Sequence, residues 1–213
     1  MKIHEIYRKY RVTPNLQEHM LRVCSIVEFI QRHWQAEGLV DWNFLKKIAL
    51  LHDLGNTVKF DLDKNPEFLG KEKSNIRYWK QVQKEIIKKY GLNDHEATKR
   101  MLQEIGVEDE MIKTILQKSF GNSVETKNSN NWPLKILYYA DLRILPFGIG
   151  TLKERIDDVR DRMPKYTNRP DFDDLVNACR EIEEQIQSNL TVSVNDIGDK
   201  TTGLNQELLN LEV

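Results

Sequence analysis

His52-Asp53 closes the run Ile48-Ala49-Leu50-Leu51, an apolar stretch expected to lie inside the molecule. A carboxylate there is costly unless it is paired, hydrogen-bonded or bound to a metal. Leu54-Gly55-Asn56 then lets the chain turn sharply away. Asp141 poses the same problem independently, because Leu134, Leu137 and Leu145 stand at spacings that place it in their apolar stripe. His19 lies one turn from Leu16 and Val23, so it points inward or along the edge of that face. Each residue alone has an ordinary explanation. An inward histidine is commonly a hydrogen-bonded core residue, and a lone buried aspartate is commonly an arginine's partner. Arg143 is close to Asp141 in sequence, but two helical steps put it about 200° away around the axis. Three helices that aim metal-competent groups at one interior are explained together by a metal ion. Without one, three unrelated buried pairings are needed.

The elements that must carry these groups read as helices throughout. Thr13-Pro14 opens the first, since proline suits the first helical turn. Leu16, Met20, Val23, Val27 and Ile30 recur at helical spacing, with Gly38 beyond the end. Asp41 caps a second helix that carries Phe44, Ile48 and Leu51 and ends near Gly55. The loop from Asn56 to about Pro66 is long enough to be functional. Further helices are expected over 74–90, from the capping box Asn93-Asp94-His95-Glu96 to Gly106, over 108–120, over 134–145, after the Thr151-Leu152-Lys153-Glu154 cap, and over 171–188. The Asn- and Ser-rich segment 121–131 is expected to be a mobile loop. Only Leu190-Thr191-Val192-Ser193-Val194 alternates as a strand would. The residues from about Ser188 onward are open between a short packed helix and loose order.

Composition sets the outer bounds. In 213 residues, 39% are apolar and 31% charged, with a formal charge of -1, so no basic excess argues for a nucleic-acid-binding face. Cys24 and Cys179 are too far apart for a zinc knuckle or a CxxC pair. The start, Met1-Lys2-Ile3-His4-Glu5, lacks a signal peptide's apolar run. No stretch approaches the roughly 18 apolar residues of a membrane span. The expectation is a reduced, cytoplasmic protein without a membrane or nucleic-acid partner.

The ordered set Glu18-His19-Met20-Leu21-Arg22-Val23, Leu50-Leu51-His52-Asp53-Leu54-Gly55-Asn56 and Tyr138-Tyr139-Ala140-Asp141 resembles the HD-domain metal-dependent phosphohydrolase superfamily. The resemblance implies an all-α, HD-domain-like antiparallel helical bundle over residues 1–165, with a helical C-terminal extension, 166–213, packing on it. It implies that His19, His52, Asp53 and Asp141 hold one divalent transition metal, with Mn, Fe, Co, Ni or Zn suited to such a mixed nitrogen and oxygen set. Asp53 would also serve catalysis by orienting water or accepting its proton. The substrate would be a small phosphorylated molecule, a nucleotide among the candidates. Phosphoryl transfer needs a cation nearby, and Arg22, one turn from His19, is the first choice, with Lys59 the second.

Some departures from the family pattern matter. Many members carry lysine right after the glycine of the HDxG turn, where this chain has Asn56, and Lys59 is the nearest substitute. Two-metal members add two histidines before the last aspartate, whereas this chain offers only His95, which is a donor behind the metal ligands, a contact to the substrate's phosphate, or an ordinary helix-start residue. The place for the second histidine reads Gln117-Lys118-Ser119-Phe120-Gly121. One metal is therefore expected. Two other classes stay open: an HD-type di-iron oxygenase, which needs about six protein ligands by the resemblance, and a non-catalytic module that binds a nucleotide signal or a protein. The long amphipathic C-terminal helix also offers a homodimer face.

Overall fold

A computed structural model describes residues 1–146 and 148–213, with the backbone alone for Phe68. The fold is all-α. Its helices are α1 (Ile3–Lys9), α2 (Pro14–His33), α3 (Trp42–Leu51), α4 (Ile76–Tyr90), α5 (Asp94–Glu104), α6 (Asp109–Gln117), α7 (Ser123–Asn128), α8 (Trp132–Leu142), α9 (Leu152–Arg162), α10 (Pro164–Thr167), α11 (Phe172–Gln187) and α12 (Asp199–Thr202). One two-stranded ladder, Ile144–Leu145 antiparallel to Gly148–Ile149, completes the regular structure among the described residues. None of the described helices is long and apolar enough to cross a membrane. The chain divides into two compact units: Met1–Leu21, Leu50–Leu116 and Asn205–Val213 form one, Arg22–Ala49 and Gln117–Leu204 the other.

In the first unit, α1 buries Ile3, Ile6 and Tyr7, and the Tyr7 hydroxyl donates to the Leu50 carbonyl at 2.6 Å. The chain's end is tied to its start: Ile3 N–H donates to Leu211 C=O and Val213 N–H to Met1 C=O, both at 3.0 Å. The expected loop after Gly55 is more regular than its composition suggests. It holds a 3-10 turn over Asn56–Lys59, then a 3-10 stretch over Pro66–Asn75 broken at Gly70, whose φ of 53° suits glycine. Gly91, at φ 90°, follows α4, and Asn93 caps α5 by accepting the Glu96 N–H at 2.9 Å.

In the second unit, the segment expected as a mobile loop is largely helical. Ser123 and Thr126 of α7 are buried, and the Ser123 hydroxyl donates to Leu175 C=O of α11 at 3.0 Å. Tertiary packing here overrides the loop preference of Ser and Asn. Helix α8 begins behind Asn131, which accepts the Leu134 N–H at 2.9 Å, and stops three residues earlier than its apolar pattern suggests. The reason is Arg143, 1% exposed, whose guanidinium donates to the Tyr139 hydroxyl at 2.5 Å, to Val194 C=O and Ile197 C=O at 3.0 Å, and to Gly150 C=O. Those bonds draw the chain out of the helix and anchor 194–197, so the alternating 190–194 segment makes an isolated bridge from Leu190 to Trp34 instead of a ladder. The Thr151 cap forms reciprocally, Thr151 N–H to Glu154 at 2.7 Å and Glu154 N–H to Thr151 at 3.2 Å. The apolar face of α11, with Leu175, Val176, Cys179, Ile182 and Ile186, is buried within the chain, and α7 and α8 pack on that helix.

Candidate metal centre

Asp41 caps α3 by accepting the Phe44 N–H at 2.9 Å, and the helix ends at Leu51. His52 and Asp53 thus sit in the turn just past it. Tight bonds, Leu54 N–H to Leu51 C=O at 3.1 Å and Asn56 N–H to Asp53 C=O at 2.9 Å, hold that turn. Helix α5 backs it. Gly55 N–H donates to the Thr98 hydroxyl at 3.0 Å, and a Cβ at Gly55 would stand 2.5 Å from the Thr98 nitrogen and 2.9 Å from Asp94 C=O. Only glycine lets the turn lie this close.

The turn meets His19, on the part of α2 that belongs to the same unit. His19 Nε2 lies 3.2 Å from His52 Nε2 and 3.5 Å from Asp53 Oδ2, while His52 Nε2 is 3.5 Å from Asp53 Oδ1. The His52 ring is fully enclosed, and His19 and Asp53 are largely so. Ligands about 2.1 Å from one ion are roughly 3.0 Å apart at a right angle and roughly 3.4 Å apart at a tetrahedral angle. The spacing of the two imidazoles, and of each from its nearer Asp53 oxygen, lies close to that range, and the donor types suit a divalent transition ion.

In the second unit, Asp141 lies in the last turn of α8 and pairs with Lys118, whose ammonium is 2.7 Å from Oδ2. Both are shielded, with side chains 12% exposed for Lys118 and 22% for Asp141. Arg143, the neighbour in sequence, spends its donors elsewhere, as the helical angle anticipates. Lys118 was not among the residues singled out by sequence. Its signal is a basic residue at helical spacing from Met111 and Ile115, both buried on α6. Asp141, like His19 and His52, offers a donor atom of the kind that holds a metal ion.

The other expected residues fall as follows. Arg22 pairs with Asp199 at 2.5 Å. Lys59, half-exposed, pairs with Asp94 at 2.8 Å. Burial pushes the Asp94 carboxyl up, but the Lys59 ammonium, helped by His95, holds it below the usual carboxylate range. His95 is exposed in the first turn of α5, and Asn56 is buried.

Two imidazoles and a carboxylate thus cluster behind a glycine turn in an all-α chain, and His19, His52 and Asp141 are of the kinds that could hold a metal ion. The HD domain family model matches residues 16–143, more than half of the chain, and this chain belongs to that family. No curated protein and no solved structure matches it.

Proposed function

We propose that the chain is a phosphohydrolase that uses one divalent transition ion to cleave a small phosphoester, a nucleotide among the candidates. His19, His52, Asp53 and Asp141 would hold the ion, in keeping with family membership and with donors of the right kinds. The observation that carries this reading is the pair His19 and His52, Nε2 to Nε2 at 3.2 Å, with an Asp53 oxygen 3.5 Å from each. When bound, such an ion lowers the pKa of water and polarises a phosphoryl oxygen.

The remaining work falls to the chain's own groups. Asp53 has one oxygen 3.5 Å from each histidine's Nε2, and its carboxylate would orient the attacking water and accept its proton. Lys118 holds one oxygen of Asp141, which sets that carboxylate's orientation and offsets its charge. Arg22 and Lys59 would meet the phosphoryl oxygens after release from Asp199 and Asp94, and His95 would contact the substrate beyond them. Elemental analysis of the purified protein, followed by a phosphoester panel with Mn or Co added, tests the reading. About one ion per chain and metal-dependent phosphate release are expected. A chain that binds no ion and turns over no phosphoester contradicts it.

A further inference from the structure

Arg22, three residues beyond His19 in α2, does not point at open solvent in the second unit. Its Nη1 donates to Asp199 Oδ1 at 2.5 Å, and the other oxygen of the same carboxylate accepts the Ile149 N–H at 3.2 Å. The third wall is Gly148, at φ 139°, where a Cβ would strike the Asp199 carboxylate. A guanidinium, a backbone N–H and a glycine with no room for a side chain converge on one carboxylate. Those are the parts of an oxyanion site.

The carboxylate comes from a weakly held segment. Asp199 begins the four-residue α12, its side chain is half-exposed, and Gly198 before it has nothing within 4 Å of a would-be Cβ. The segment bonds locally, Thr201 N–H and Thr202 N–H both to Gly198 C=O at 3.0 Å. A cavity of about 290 Å³ opens beside the pair, lined by Arg22, Ile149, Asp199, Thr202, Gly203 and Leu204. That lies at the lower bound of small-molecule sites, about 300 Å³, and suits a phosphate group better than a whole nucleotide.

We propose that Arg22, the Ile149 N–H and Gly148 form a phosphate-binding subsite that Asp199 occupies as a built-in competitor, and that an incoming phosphate displaces Asp199 and loosens residues 198–204. A partly exposed ion pair contributes little stability, and a phosphate dianion presents more charge and more acceptor oxygens to the guanidinium than a carboxylate does. The subsite stands on this geometry alone. Its use in hydrolysis rests on the reading given above.

Binding of inorganic phosphate to the full chain, followed by calorimetry and by hydrogen–deuterium exchange, tests it without any turnover. Phosphate should raise exchange at 198–204 in the wild type. Asp199→Asn should bind phosphate about tenfold more tightly if the closed form outweighs the open one by about nine to one. Gly148→Ala, whose Cβ would stand in the space the anion takes, and Arg22→Met should both lose binding, with circular dichroism confirming the fold of each. The proposal is overturned if Asp199→Asn binds no more tightly than wild type, if phosphate leaves 198–204 unchanged, or if Arg22→Met binds as before. Metal-dependent turnover alongside any of those results would leave the hydrolase reading standing. Phosphate-driven release in a chain without turnover would do the reverse.

Discussion

At the scale of single residues, Asp141 and Lys118 form the pair whose removal is most informative. Two shielded charges held at 2.7 Å are stable as a pair, and either one alone is costly. Lys118→Ala should lower the stability of the metal-free protein by about 2 kcal/mol, since some solvent still reaches the site. That corresponds to a melting temperature lower by roughly 5 °C. An ion bound at Asp141 takes over the compensation, so saturating Mn should recover more stability in Lys118→Ala than in the wild type. An equal offset with and without Mn, read by calorimetry, would deny Asp141 its place on the ion. His52, Asp53 and Asp141 were legible in the sequence because each is a polar group in an apolar pattern. Lys118 carries the same signal more faintly, since α6 ends at Gln117 just before it. Asp199 carries none: its partner Arg22 is 177 positions away, and nothing local marks the encounter.

At the scale of elements, the turn that presents His52 and Asp53 depends on α5 approaching it closely at Gly55. Gly55 has an ordinary backbone, φ -89°, so substitution there is opposed by the Thr98 and Asp94 main chain and not by conformation. Gly55→Ala should cost about 1–3 kcal/mol through overpacking and, if the proposed metal site holds, should weaken metal affinity, because the displaced turn carries two of the proposed ligands. Gly198→Ala, with open space around it, is the control and should stay within about 0.5 kcal/mol of wild type. Denaturant midpoints and a metal titration compare them, and equal behaviour of the two variants would show that the α5 contact does not position the turn. Helix positions were readable wherever capping and apolar spacing agreed, as at Pro14, Asp41, Asn93 and Thr151. They were not readable where a distant partner decides the outcome. The bond from Ser123 to Leu175 makes a helix of a Ser- and Asn-rich stretch, and the bonds from Arg143 to Val194 and Ile197 end α8 while its apolar pattern continues. Helix α1 was missed because seven residues give too little periodicity, although Ile3, Ile6 and Tyr7 do have helical spacing.

At the scale of the whole molecule, buried thiol and phenol groups should lower stability at alkaline pH. Burial pushes the Cys179 thiol up to about 11, with the Tyr138 hydroxyl 3.1 Å from it, and burial raises Cys24, Tyr10, Tyr138 and Tyr139 further. A raised pKa means that the folded chain holds its protons more tightly than the unfolded chain. The stabilisation is complete below the unfolded thiol value and is lost as pH rises through the folded one. The melting temperature should hold level to about pH 8.5 and then fall, with Cys179 alone contributing roughly 2 kcal/mol of loss by pH 11. Cys179→Ala should flatten part of that fall, and an unchanged profile in this variant would remove Cys179 from the explanation. Both thiols should also stay unreactive toward an aromatic disulfide reagent at neutral pH in the folded protein.

The proposal that His19, His52, Asp53 and Asp141 share one ion is tested most directly by counting metal. Wild type, His52→Ala, Asp53→Ala and Asp141→Ala, purified without chelator and shown by circular dichroism to be folded, would be compared by elemental analysis after equilibration with Mn. About one ion per chain in the wild type and a large loss in all three variants is the expected result. Full metal content in a folded Asp53→Ala protein, or none in the wild type, would contradict the account.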